Sequence, residues 1–114
     1  MANENVARAT DPVFAAVADP TRRRVLDVLR SDECSVREIT DAVDVSQSAV
    51  SQHLKVLREA GVVSVRAEGT RRLYRVQVDG LASVRAWVDS FWDDALGAFA
   101  AHASANHHET GATP

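Results

Sequence analysis

Between Asp11 and Gly61 the chain carries four separate signals for starting a helix, and beyond Gly61 its apolar period changes from about 3.6 residues to 2. That order confines it to small mixed folds in which short helices precede a hairpin. Asp11-Pro12 and Asp19-Pro20 each pair an N-cap acid with proline at the first helical position. They predict a first helix around Val13 to Val17 and a second from Pro20 to about Arg30, burying Val25, Leu26 and Leu29. Ser35 with Glu38 three residues on is a capping-box pattern, predicting a third helix from Val36 to about Val43. After Asp44-Val45, Ser46 caps a fourth helix with Val50, Leu54 and Leu57 on one face. Gly61 suits the left-handed position past its end.

In VVSVRAEGTRRLYRVQV, Val63 and Val65 alternate with polar residues, and Leu73 and Val76 do so less regularly, around Glu68-Gly69-Thr70. This predicts a hairpin. Asp79 or Gly80 then begins a last helix in which Leu81, Val84, Val88, Phe91, Trp92, Ala95 and Phe99 recur at three and four. Carried to Ala105, it would be about 37 Å long at 1.5 Å per residue. One small core cannot cover that length. At 114 residues the chain has room for a single core. The expected organisation is a flexible N-terminus over 1–10, one domain over 11–105 and a flexible tail over 106–114.

Helices, a capped helix-turn-helix pair, a hairpin and a final helix make the winged helix-turn-helix plan, mainly α with a small β-hairpin. In this plan the second helix of the pair enters a DNA major groove. Gln47, Ser48, Ser51, Gln52 and Lys55, just after Ser46, fall opposite the apolar face of the fourth helix. Short hydroxyls and amides both donate and accept hydrogen bonds, so they read base edges or grip phosphates without filling the groove. Plain solvation is the competing explanation of such a face. Its place directly before an arginine-bearing hairpin favours contact: Arg66, Thr70, Arg71 and Arg72 surround the tip, where arginine reaches phosphates or a minor groove.

Charge supports this local reading. The chain as a whole carries −3, yet Ser46 to Val78 holds six basic and two acidic residues, a segment of +4 against −7 elsewhere. A basic footprint on an acidic body suits double-stranded DNA better than the total suggests. One cysteine excludes an internal disulfide and a four-cysteine zinc site. The N-terminal MANENVARAT has no apolar stretch of signal-peptide type and no window approaches a membrane span, so a cytoplasmic protein without a membrane partner is expected. No Gly-rich phosphate loop occurs, and Ser51 and His53, two apart on one helix, point away from each other, so an enzyme is not expected.

Taken together, ADPTRRRVLDVLR, SAVSQHLKVLREAGVV and EGTRRLYRV resemble the arsenic-repressor (ArsR/SmtB) family of bacterial winged-helix regulators over about Asp11 to Val78. The resemblance implies a homodimer formed through the first and last helices, bound as a repressor to an imperfect palindrome and released by an effector, here an unidentified small molecule. Phe14, Leu81, Val84, Val88, Phe91, Trp92 and Phe99 are the expected dimer residues. The apolar excess of the last helix supports a dimer independently.

Many family members bind metal through a Cys-x-Cys pair at the start of the third helix; here Ser35 and Arg37 align with that pair, and a guanidinium opposes a cation. The family's other metal site lies on the last helix. Asp89, Asp93, His102, His107, His108 and Glu109 do not reproduce its spacing, though His102 with the HHE stretch leaves a metal-responsive alternative. No metal or cofactor is expected. Cys34 would be a redox sensor only if Arg37 or the third helix's N-terminus favoured its thiolate. His53 is expected to flank the core and hydrogen-bond locally. A winged-helix protein-interaction module without DNA binding is the remaining alternative.

Overall fold

The computed structural model describes residues 12–111, with side chains described as far as 103. Asp11, expected to cap the first helix, lies outside the described residues, as does the 1–10 segment expected to be flexible. The elements are α1 over 12–18, α2 (Pro20–Leu29), α3 (Val36–Ala42), α4 (Gln47–Glu59), β1 (Val63–Glu68), β2 (Arg71–Val76) and α5 (Ala82–Gly111). A single 3-10 turn, Val78–Leu81, joins β2 to α5. The architecture is mainly helical with a two-stranded antiparallel hairpin, in the order expected.

The starts of α2, α3 and α4 are set by the residues that sequence reasoning selects for them, whereas α5, expected from Asp79 or Gly80, begins at Ala82 after the 3-10 turn. The Asp19 carboxylate accepts from the backbone N–H of Thr21 at 2.8 Å and Arg22 at 3.0 Å, satisfying donors that the first turn of α2 leaves free. Ser35 and Glu38 form both halves of a capping box at α3: Glu38 N–H donates to Ser35 Oγ, and Ser35 N–H to Glu38 Oε1. Ser46 Oγ accepts from Ala49 N–H at 3.1 Å to open α4. At the other end of α4, Gly61 takes φ +82°, and the N–H of Val62 returns to Leu57 O.

One core gathers these elements. Val13 and Ala16 of α1, Val25 and Leu29 of α2, Ile39 of α3, Val50, Leu54 and Leu57 of α4, and Val62, Val63 and Tyr74 around the hairpin are buried together. Burying each large aliphatic side chain contributes roughly 1.5–3 kcal/mol against leaving it in water. Leu26, expected inside, packs against the cluster half-buried, as do Leu81 and Val84.

The hairpin pairs Val63 with Val76 and Glu68 with Arg71, closing on Gly69-Thr70. Gly69 has φ +62° at the first of the two turn positions, as a type II′ connection requires. Cys34 forms an isolated bridge to the outer edge of β2, exchanging hydrogen bonds of 3.0 and 2.8 Å with Tyr74. In the turn after β2, Gly80 lies so close to the α4–β1 corner that a Cβ there would stand 2.0 Å from Gly61 O.

The compact unit ends at Val84, and the helix from Arg85 onward forms a second unit. The helix runs to Gly111, so the tail expected over 106–114 falls partly within it and partly outside the described residues.

Candidate nucleic-acid interface

The pair α3–α4, joined by a turn through Val43, Asp44 and Val45, places the N-terminus of α4 at the surface. Burial of Val50, Leu54 and Leu57 fixes how α4 is rolled about its axis. The opposite side is consequently open: Gln47, Ser48, Ser51, Gln52 and Lys55 are all exposed, and their side chains make no hydrogen bond or ion pair within the described residues. Ser46 is exposed too, but its hydroxyl is occupied in capping.

The hairpin arginines are not equivalent. Arg66 directs Nε and Nη2 at the Glu33 carboxylate and Nη2 also at Glu68, 2.9 Å away. The Arg66 hydrogen bonds hold Glu33 below the ordinary carboxylate range, while Glu33 drives the Arg66 pKa further up. Arg71 Nη2 reaches Glu38 Oε1 at 2.8 Å, on the same oxygen that takes the Ser35 N–H. Arg75 donates to Ser64 Oγ at 3.3 Å. Arg72 is exposed and has no partner among the described residues. Thr70 lies exposed in the turn. Sequence reasoning counted cations and missed the carboxylates facing two of them, because Glu33 and Glu38 lie outside the segment that was counted.

A second arginine cluster has no forerunner in the sequence reading. Arg22 and Arg23 fold back onto the last carbonyls of α1: Arg22 Nε to Ala16 O at 2.7 Å, Arg22 Nη2 to Ala15 O at 3.1 Å, and Arg23 Nη1 to Val17 O and Ala18 O at 2.9 Å each. Carbonyls in the last turn of a helix run out of helical partners, and guanidinium donors serve them here. The run of three arginines after Asp-Pro was the available signal. His53 flanks the core half-buried and meets Arg22 Nη1 at 3.4 Å.

Cys34 does not meet the condition set for a sensor. Burial pushes its thiol pKa up, and Glu38 and Asp32 add to the rise; Arg37 has no part in it. Ser35, at the position of the family's first thiolate, has its oxygen occupied by the α3 cap. Among the described residues no three His, Cys, Asp or Glu side chains are grouped to hold a metal, and the side chains of His107, His108 and Glu109 lie outside them.

On α5, Val88, Phe91, Trp92 and Phe99 are exposed, the last at 71%. Leu96 and Trp87 extend the same surface, and Trp87 meets Phe91 edge-to-face with ring centroids 4.9 Å apart. Trp87 was absent from the expected set. It precedes Phe91 by one helical turn, a spacing that could have revealed it. Phe14 on α1 is half-buried. Among the described residues no helix is long and apolar enough to cross a membrane.

Capped helix pair, exposed polar face and arginine-bearing hairpin define a winged helix-turn-helix. The family model for bacterial regulatory proteins of the arsR family matches residues 19–65. An HTH-type transcriptional regulator of Mycobacterium tuberculosis, Rv2034, is 43% identical over 82% of this chain and 87% of its own length. The transcriptional repressor SdpR of Bacillus subtilis is 32% identical over 69% of this chain and 88% of its own. Among solved structures, the homodimeric winged helix-turn-helix DNA-binding domain of Mb0332 from Mycobacterium bovis superposes with a TM-score of 0.66 at 30% identity, covering 82% of this chain and 87% of that one. The chain belongs to the ArsR family of bacterial transcriptional regulators.

Proposed function

We propose that the protein is a sequence-specific transcriptional repressor that binds a palindromic operator as a homodimer, in the cytoplasm, and is released by an unidentified small-molecule effector. The observation that carries this reading is the unpartnered hydroxyl-and-amide face of α4 beside a hairpin whose Arg72 is free among the described residues. Gln47, Ser48, Ser51 and Gln52 meet base edges, while Lys55, Arg71 and Arg72 neutralise phosphates. Ser46 orients the first turn of α4, and Thr70 shapes the wing tip. Arg66, held by two carboxylates, fastens the wing rather than touching DNA.

The exposed α5 surface of Val88, Phe91, Trp92 and Phe99, with Phe14 on α1, supplies the dimer contact, while Leu81 and Val84 are shared with the subunit's own core. A two-fold partner sets two α4 helices about 34 Å apart, one DNA turn. The similarity to a named repressor and to a homodimeric DNA-binding domain supports the same assignment. The test is selection of duplexes from a random pool, followed by fluorescence anisotropy against salt concentration. A palindromic preference and a steep loss of affinity with salt are expected; equal affinity for every duplex would refute sequence-specific repression.

A further inference from the structure

We infer that Arg22 is a positioning residue that ties the C-terminal end of α1 to the recognition helix α4 through His53, setting the roll of the face that meets DNA. The inference rests on the reading of α4 as the DNA-contacting helix. One guanidinium joins three places. Nε donates to Ala16 O at 2.7 Å, Nη2 to Ala15 O at 3.1 Å and Nη1 to His53 Nδ1 at 3.4 Å, with Asp19 Oδ2 4.0 Å from Nη1. The Arg22 side chain is only 18% exposed, so little water competes for these donors.

A guanidinium offers donors alone, so in this contact Nδ1 of His53 is the acceptor. The group is also planar and rigid. A displacement of the carbonyls at the end of α1 is passed to the imidazole rather than absorbed, as a flexible lysine stem would absorb it. His53 follows Gln52 directly and stands three residues after Val50 and four before Leu57. It therefore sits on the flank of α4, between the buried stripe and the exposed polar face. Packing of Val50, Leu54 and Leu57 holds α4 on the core, and the His53 tie adds a directional restraint on its flank. Whatever α1 packs against thus acts on the helix that reads DNA.

Arg23 provides the control. It caps the same helix end through Val17 O and Ala18 O, and among the described residues it makes no side-chain hydrogen bond to α4. Arg22→Gln, Arg23→Gln and His53→Leu, each in the full chain, separate coupling from capping. In the free protein, amide hydrogen exchange over residues 51–57 should accelerate severalfold in Arg22→Gln and His53→Leu and stay unchanged in Arg23→Gln. With DNA, Arg22→Gln and His53→Leu should lower the affinity ratio between the selected duplex and a scrambled one about tenfold, the scale of one lost base contact. The salt slope, which counts phosphates, should not move.

Equal exchange in Arg22→Gln and Arg23→Gln, or wild-type exchange and ratio in His53→Leu, would overturn the coupling. His53→Leu keeps both caps, so it decides the matter even if Arg22→Gln does not fold. Failure of the DNA reading would show differently, as a wild-type protein indifferent to duplex sequence; the exchange data would still judge the tie.

Discussion

Arg66 and Glu33, 33 positions apart in the chain, meet as a two-pronged ion pair in which Nε and Nη2 of the guanidinium both face the carboxylate. The pair lies on one seam with Arg71–Glu38 and the Cys34–Tyr74 bridge, joining the hairpin to the start of α3. An exposed ion pair alone contributes about 0.2–1 kcal/mol. Their common effect is geometric: the wing is held at a set place beside the helix-turn-helix.

Under the proposed function this arrangement separates an anchoring arginine, Arg66, from a contacting one, Arg72. Arg72→Ala should flatten the dependence of log affinity on log salt by about one phosphate, close to 0.9 in slope. Arg66→Ala should leave that slope as it is. Titrations by anisotropy at several salt concentrations measure both, and a slope lost in Arg66→Ala alone would reverse the assignment.

Gln52→Ala removes an amide that projects from α4 without an internal partner. Binding to the preferred duplex should weaken by about 1–3 kcal/mol, with preference relaxed at one or two base pairs, if the amide makes a bidentate base contact. Competition with single-base variants of the duplex shows where the preference was lost.

Trp92 is 63% exposed on α5. Placing a charge there by Trp92→Asp should split the proposed dimer while leaving the 12–84 unit folded, since that unit's core does not include Trp92. Sedimentation velocity reads the outcome directly: an unchanged coefficient would rule this surface out as the contact between subunits.

Glu38 is held below its ordinary value of 4.5, first by the Ser35 N–H and then by the Ser35 hydroxyl, with Arg71 adding to the effect. Glu33 is lowered from the same value by Arg66, and Asp19 from 3.8, chiefly by the Arg22 N–H. A carboxyl more acidic in the folded than in the unfolded chain stabilises the fold above its unfolded pKa. That contribution is lost as pH falls through the folded value. Stability should therefore hold above about pH 4.5 and decline below it, and Glu38→Gln should make the decline shallower. Urea unfolding at stepped pH tests this.

Gly80→Ala probes a contact independent of function. The added Cβ would stand 2.0 Å from Gly61 O and 2.7 Å from Gly61 C, both backbone atoms that cannot swing aside. The turn or the corner must shift, and the free energy of unfolding should drop by well over the ~0.5 kcal/mol of an ordinary surface substitution. Gly97→Ala, with nothing within 4 Å of the added atom, is the matched control.

What the sequence disclosed and what it withheld follow the range of the interactions. Asp19, Ser35 with Glu38, Ser46 and Gly61 act within four residues of themselves, so their side-chain chemistry alone marks where helices begin and end. The exposed face of α4 was legible for the same reason, since Val50, Leu54 and Leu57 fix its roll. Cys34 meets Tyr74 across 40 positions, Arg66 meets Glu33 across 33 and Arg22 meets His53 across 31, and no local pattern announces such partners.

The single-residue bridge at Cys34 has a bearing on how this molecule behaves in a crowded solution. Strands that project from a small domain offer unpaired N–H and C=O groups to any passing chain, and aggregation starts at such borders. Here β2 has its border closed by Cys34 at Tyr74, while β1 presents a charged one through Arg66 and Glu68. A wing built to protrude is thereby kept from recruiting a stray strand, and its backbone stays committed to its own hairpin.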